Sequence, residues 1–345
     1  MTLFRKFLDN VVHDRHPDEG TIIVVGKPKS KYYGTVTPYP NFCARSDAAA
    51  LEKAIETKGV DEDVIISILV DRSNEQRQKI KAAYEESTGK PLADALKSAL
   101  RSHLEDVALA LLMTPAQFDA HELRKATKGF GTKEAVLVEI LASRSNQEIR
   151  DIKRVFKEEY EEELEDVIKS DTSGDFTSAL LAMLKADKDE DNTIDLERAK
   201  KDAVALFEAG ENSKGTDVST FINILTSRSG PQLTKSELSR LGRYITRGLN
   251  TPNTHLQRKH AQTNQTVKCA WSKPAFFAEK LHLAMKGRGT CEDTLTRVLV
   301  SRSEVDLKKV MDEFKAMYGK TLQEVISDDV KGHFEKILLA LCGPH

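Results

Sequence analysis

The sequence has no long hydrophobic run, no excess of either charge and almost no strand signal. Its 345 residues carry 52 Lys and Arg against 54 Asp and Glu. Nucleic-acid binding usually needs a basic excess, so that class is not expected. Attraction to an anionic membrane would need bound cations. The longest apolar stretches, such as Val64–Val70 with Ser67 interrupting it, fall far short of the roughly 18 residues of a spanning helix. A chain of this kind that meets a membrane lies on it. Met1–Asn10 has no long apolar core, which argues against a signal peptide. The four cysteines, Cys43, Cys269, Cys291 and Cys342, form no CxxC pair and show no zinc spacing, so a reduced cytosolic protein is the simpler reading. A nucleophile–base pair, a P-loop and an HExxH motif are all missing, which argues against an enzyme. Thr21–Val25 is the one strand candidate.

What is there is a repeat. The phrases Leu69–Ser73, Leu141–Ser145, Leu225–Ser229 and Leu299–Ser303 each contain Arg-Ser, and thirteen positions before each Arg stands Gly59, Gly131, Gly215 or Gly289. Four copies that lock one Gly to one Arg are one unit repeated. Each unit reads as helices: Val64, Ile65, Ile68 and Leu69 share a face at helical spacing. The Ser after each Arg has the look of an N-cap, with Gln76, Glu148, Gln232 or Asp306 three residues on, as in a capping box. Apolar residues at +7 and +11 from that Ser (Ile80 and Tyr84, Ile152 and Phe156, Val310 and Phe314) are expected in the core. The repeated Arg could bind phosphate or act in catalysis. A buried structural ion pair, with an acid such as Asp71, is the stronger reading.

Copies two and four carry a further pattern. Gly129–Thr132 reads GFGT and Gly287–Thr290 reads GRGT; forty residues after Gly131 and Gly289 stand Asp171 and Asp329. Calcium takes six to eight hard oxygen ligands. A Gly turn between helices can aim several backbone carbonyls at one point, because Gly accepts positive φ, and one carboxylate from a second loop can close the site. A lone GxGT often marks only a helix-connecting turn capped by its Thr. The same motif with an acid at one offset, twice, is far more specific. Asp187–Asp195 starts like an EF-hand loop, but Asn192 and Arg198 occupy the positions that need Gly and Glu. It reads as a solvated acidic linker.

KGxGT, then LxSRS, then an acid forty positions after the Gly resembles the annexin core, over about Ser46–Gly343. The stretches Asp171–Phe176, Lys273–His282 and Ala340–Gly343 carry the resemblance most closely. It implies an all-α fold, four five-helix repeats in a curved disc, with calcium on the convex face docking on anionic phospholipid. The implied divisions are a tail at 1–45, repeats at 46–114 and 115–186, a linker at 187–198, and repeats at 199–272 and 273–345. The implied calcium ligands in copy two are Thr127, Gly129, Gly131 and Thr132 with Asp171. In copy four they are Met285, Gly287 and Gly289 with Asp329. Copy one would hold lesser sites at Gly59, Val60 and Glu62, and at Lys97, Leu100 and Glu105. Several weak sites on one face raise avidity by roughly 10²–10⁴. In the tail, Leu3, Phe4, Phe7, Leu8, Val11 and Val12 form a helical apolar stripe that suits a partner's groove. The resemblance implies a small EF-hand dimer as that partner, or insertion into the protein's own core.

Copy three departs from the pattern. Ser236 and Arg240 stand at the core positions, His255 replaces the acid, and His260, Asn264, Gln265 and Lys268 replace the apolar residues of the last helix. Family-like sequence resumes at Val267–Ala270. A shifted reading frame or a divergent exon between about Thr234 and Thr266 produces such a break and return. Gly210 and Gly215 are the ligands the resemblance would assign there.

Overall fold

The amphipathic spacing of the repeats is realised as helices. The computed structural model describes residues 22–24, 32–129, 131–210, 217–234, 265–266, 268–270, 272–287 and 289–343. The apolar tail stripe, Gly215 and most of 234–266 lie outside them.

Copy one comprises α1 (Ala44–Glu56), α2 (Glu62–Val70), α3 (Asn74–Thr88), α4 (Leu92–Ala99) and α5 (Ser102–Leu112). Copy two comprises α6 (Pro115–Thr127), α7 (Glu134–Ser143), α8 (Asn146–Tyr160), α9 (Leu164–Asp171) and α10 (Gly174–Leu184). A two-stranded antiparallel ribbon joins β1 (Ile22–Val24) to β2 (Thr193–Asp195) in the register Ile22 to Asp195, Ile23 to Ile194 and Val24 to Thr193. In the third copy the described helices are α11 (Leu196–Gly210), α12 (Val218–Ser227) and α13 (Gly230–Thr234). Copy four comprises α14 (Lys273–Met285), α15 (Glu292–Arg302), α16 (Leu307–Tyr318), α17 (Leu322–Asp329) and α18 (Gly332–Cys342). Among the described residues no helix is long and apolar enough to cross a membrane.

The chain divides into two units. One holds residues 1–30, 126–150 and 162–271; the other holds 31–125, 151–161 and 272–345. In the first, Ala199, Ala203, Leu206, Phe221, Ile224, Leu225 and Leu233 form a shared core. In the second, Leu51, Ile65, Leu69, Phe277, Leu295 and Leu338 are fully buried. The positions at +7 and +11 behave as the pattern requires: Ile80, Tyr84, Ile152, Phe156, Val310 and Phe314 are all buried.

Ser73 forms a full capping box with Gln76. The Ser145 amide and hydroxyl both reach Glu148 Oε2, at 2.7 and 2.8 Å. Ser229 accepts from the Gln232 amide, but the Gln232 side chain is spent on the backbone of Asp195 in β2. Copy four breaks the expectation. Ser303 ends α15 instead of opening α16, whose N-cap is Asp306. The cause is a chain of substitutions in the repeat. Arg72 is paired with Asp47 at 2.6 and 2.8 Å, and Arg228 with Asp202 at the same distances. The corresponding place in copy four holds Phe277, so the Arg302 guanidinium lies over that ring and takes Asp306 at 2.7 Å. Asp306, the N-cap of α16 by position, therefore makes no side-chain cap bond, and Ser303 has no box partner. The ion-pair reading holds for Arg72, Arg228 and Arg302, with partners other than Asp71, which offers Arg72 only a carbonyl at 3.4 Å.

The acidic linker is more structured than its composition suggests. Ile194 is buried, the Asp195 carboxylate accepts from the Arg198 amide, and α11 starts at Leu196.

Candidate functional site

In copy two, α6 ends at Thr127 and α9 ends at Asp171. The loop after α6 carries Gly129 at φ +119° and Gly131 at φ +86°, values that an L side chain resists. It is closed by the Lys133 amide donating to Ala126 O at 2.9 Å. The Thr132 hydroxyl donates to the backbone oxygen of Asp171 at 2.9 Å, which brings the two loops together. Copy four repeats the construction. α14 ends at Met285, Gly287 and Gly289 have φ of +119° and +94°, and the Cys291 amide returns to Ala284 O at 2.8 Å. Here Thr290 donates to the Asp329 carboxylate itself, Oδ2, at 2.6 Å.

Each of these places is the meeting point of two helix C-termini. The last carbonyls of a helix lack intrahelical donors and carry the negative end of its dipole, so a cation is favoured there before any side chain is counted. One carboxylate, Asp171 or Asp329, is then added. Among the described residues there is no cluster of three or more His, Cys, Asp or Glu that could hold a metal. Carbonyls plus one carboxylate are the donors that suit calcium. The threonines act as clamps between loops, not as helix caps: α7 and α15 are preceded by Lys133 and Cys291.

Copy one is built differently. Gly59 has φ +96° and Val60 φ +50°, and the Asp61 amide closes the loop on Ala54 O at 2.9 Å. Glu62 begins α2, so the turn is present. Forty residues after Gly59, however, stands Ala99, not an acid. Three residues after the acid, copies two and four have Gly174 and Gly332 at φ +64° and +75°; copy one has Ser102 at φ +55°. The Leu100 carbonyl, one of the lesser ligands implied by resemblance, accepts from the Arg101 guanidinium at 2.7 Å. Lys97 is exposed at the end of α4 and Glu105 half-buried in the first turn of α5. In copy three, Gly210 ends α11 and Gly215 lies outside the described residues.

Thr290 was weighed in the sequence only as a cap, and Arg101, which bonds the Ser98 and Leu100 carbonyls of its own loop, was not singled out. Thr290 had a signal, since it occupies the place of Thr132 in the repeat. Arg101 had none, because its role depends on a side chain folding back on its own loop.

Comparison with known proteins bears on the same segments. The annexin family model matches residues 46–111, 118–183 and 276–341, leaving the third copy between matched segments. Annexin A1 from Homo sapiens is 50% identical over 345 residues, covering 99% of both chains. Annexin A1 from Rattus norvegicus is also 50% identical, with the same coverage. Among solved structures, annexin III has a TM-score of 0.85 at 43% identity, over 91% of this chain and 98% of that one. A structure titled calcium-bound annexin (Sm)1 has a TM-score of 0.79 at 28% identity, over 91% and 94%.

Proposed function

The chain belongs to the annexin family, and from that premise we propose that it docks on anionic phospholipid membranes through calcium held by its inter-helix loops. The observation that carries the reading is the twice-repeated meeting of two helix C-termini, a positive-φ glycine turn and one aspartate, at Asp171 and at Asp329. In copy two the carbonyls of Thr127, Gly129 and Gly131 would hold the ion with Asp171. In copy four those of Met285, Gly287 and Gly289 would do so with Asp329. Bound calcium supplies the positive charge that a lipid phosphate oxygen completes. The protein's part is to fix the carbonyls, to bring in the carboxylate by way of Thr132 or Thr290, and to leave open positions toward lipid. Copy one, through Gly59, Val60 and Glu62, contributes a weaker site. The third copy contributes least, since His255 stands where the acid should be.

At the level of the family this function extends to membrane organisation, vesicle aggregation and phospholipase inhibition by a non-enzymatic, cytoplasmic protein recruited to the plasma membrane or vesicles. The tail stripe from Leu3 to Val12 would recruit a small EF-hand dimer. The competing reading is a helical scaffold that binds proteins through this tail and needs no calcium.

Cosedimentation with phosphatidylserine vesicles separates the two. Binding should need calcium and should weaken in an Asp171→Ala, Asp329→Ala double variant. Binding that ignores a chelator, or no binding by the folded protein, would sink the membrane reading and leave the scaffold.

A further inference from the structure

The strand β2, ahead of copy three, is held by one buried side chain. Gln232 is 3% exposed and takes both backbone groups of Asp195. The Asp195 amide donates to Gln232 Oε1 at 2.9 Å, and Gln232 Nε2 donates to the Asp195 carbonyl at 2.8 Å. Gln76 grips Tyr39 ahead of copy one in the same way, at 2.8 and 3.0 Å. Glu148 and Asp306, at the matching places in copies two and four, have no donor for such a grip when ionised. In copy one the gripped segment is bonded further to copy four: the Thr35 and Val36 amides donate to Ser303 O, and Tyr33 O accepts from the Lys308 amide. In copy three the outer edge of the gripped segment is met by β1 instead. Backbone groups of successive residues in a strand face opposite sides. Those of Asp195 are turned to Gln232, so those of Ile194 are turned to β1, where Ile23 is their partner. Ile194 is itself buried, and the Asp195 carboxylate accepts from the Arg198 amide at 2.9 Å. β2 is thus fixed from the side away from the tail and does not depend on β1 for its shape.

We propose that β2 is a docking edge for the Ile22–Val24 segment of a second copy of this chain, so that two molecules join by exchanging tail strands. A preformed edge with backbone donors and acceptors to offer is a template for another strand. Strand addition of this kind draws its affinity from main-chain bonds. The second copy brings the segment that fits this edge, in the register Ile22 to Asp195, Ile23 to Ile194 and Val24 to Thr193. The pairing is only three residues long, and a two-stranded ribbon is marginal in water, so the edge opens readily. Exchange replaces each bond by an identical one, which makes it a low-cost route to a dimer. The edge is incomplete without a strand, and either copy can supply it. The tether decides between them: residues 25–32 separate Val24 from Tyr33, whose carbonyl is bonded to the Lys308 amide. A short tether corresponds to an effective concentration on the order of millimolar, and exchange sets in as the protein approaches that level.

Disulfide trapping in the full chain reads the exchange directly. Val24 and Thr193 face each other with their backbone groups turned apart; α-carbons of such a pair lie about 4.5 Å from each other, within disulfide range. With Cys43→Ser and Cys291→Ser as background, one sample carries Val24→Cys and the other Thr193→Cys. Mixed under mild oxidation, the two can form a 24–193 disulfide only between molecules. Peptide mass spectrometry identifies that bond. Its yield should rise with protein concentration and exceed by about tenfold the yield when exposed Lys79→Cys replaces Thr193→Cys. Ile23→Pro in the Val24→Cys chain removes the amide that Ile194 O accepts and should return the yield to that control level. A single chain carrying both cysteines should close on itself in dilute solution, which shows that the ribbon forms and the variants fold. Closure within one chain, with no intermolecular bond above the control at any concentration, would overturn the exchange and leave the edge to its own tail. An intermolecular yield indifferent to Ile23→Pro would overturn it as well. Failure to close even within one chain, with the helical circular dichroism intact, would remove the ribbon and the exchange together.

Discussion

Thr290 holds the carboxylate of Asp329 by a 2.6 Å hydrogen bond, whereas its counterpart Thr132 reaches only the backbone oxygen of Asp171, at 2.9 Å. The copy-four carboxylate is thus held across the two loops by a short bond, whereas the copy-two carboxylate accepts only a long 3.4 Å bond from the adjacent Ser170 hydroxyl. Partners that orient a metal ligand are worth about 10–100-fold in affinity. Thr290→Val should therefore weaken calcium binding at copy four by about tenfold. Thr132→Val should cost copy two less. Calorimetric titration in the presence of vesicles, with Asp171→Ala isolating copy four and Asp329→Ala isolating copy two, measures each. Equal losses at the two sites would contradict the distinction.

The Arg–Asp pairs of the repeats make a stability prediction. The Arg72 and Asp47 side chains are 10% and 12% exposed, and Tyr39 covers the guanidinium with its ring at 3.6 Å. Removing one partner of a buried pair strands the other, at a cost of about 3–5 kcal/mol. Arg72→Ala should lower the denaturation midpoint accordingly, whereas Asp71→Ala, at an exposed position, should stay within about 0.5 kcal/mol. Asp306→Ala should be damaging for a reason particular to copy four: Arg302 has Phe277 where copies one and three have an acid. Denaturant melts of the three variants decide the order, and a harmless Asp306→Ala would refute this account of copy four.

Ser102 carries backbone strain that the repeat shows how to relieve. Its φ is +55°, and the equivalent residues in copies two and four are Gly174 and Gly332. A left-handed non-glycine residue costs roughly 1–2 kcal/mol. Ser102→Gly should stabilise the protein by about 1 kcal/mol, and Gly332→Ala should destabilise it by a similar amount. Thermal melts that moved the opposite way would show that the Ser102 side chain contributes more than its backbone costs.

The parts of the fold and site that were legible in the sequence are those written in repeats. Gly131 with Asp171, and Gly289 with Asp329, were visible because the same offset occurs twice, and Ile80, Phe156 and Phe314 because helical burial is periodic. Ion-pair partners were not visible. Asp47 lies 25 residues before Arg72 on another helix, while Asp71 adjoins it, and adjacency in sequence was the weaker guide. The failure of Ser303 as a cap was hidden for a similar reason. It follows from Phe277 taking an acid's place, a change that matters only once α14 is folded beside α15. The β1–β2 pairing joins segments about 170 residues apart; the Thr21–Val25 alternation suggested one strand and nothing suggested its partner.

Asp217 yields a pH dependence with a definite sign. Its carboxylate caps α12, accepting from the Ser219 and Thr220 hydroxyls at 2.7 and 2.8 Å and from their amides. Those bonds, the Ser219 hydroxyl first, hold the carboxyl below its usual range. A depressed folded-state value means that the cap stabilises fully above the ordinary Asp value of about 3.9 and is lost as pH falls through the lower folded value. Amide exchange at Ser219 and Thr220 should be faster in Asp217→Ala than in wild type at neutral pH. The difference should close only in acid below about pH 4. A difference that vanished by pH 6 would place the cap's energy elsewhere.

The four cysteines divide by reactivity, and one of them reports on the site. Burial pushes the Cys342 thiol up to about 12, so at pH 8 it holds almost no thiolate, the species that reacts. Cys269 is fully buried. Cys43 is exposed at the N-cap of α1, where hydrogen bonds from Ser46, its backbone amide first, draw the thiol below its usual value. Iodoacetamide at pH 8 should modify Cys43 first and Cys291 next, sparing Cys269 and Cys342 until the protein unfolds. Cys291 follows Thr290 directly, and its amide closes the copy-four loop on Ala284 O. Calcium that orders this loop should slow alkylation of Cys291 and leave the rate at Cys43 unchanged, and Asp329→Ala should abolish the protection. Peptide mass spectrometry over a time course reads all four positions at once. Early labelling of Cys342 would contradict its burial, and equal calcium effects at Cys43 and Cys291 would deny that the ion acts at the copy-four loop.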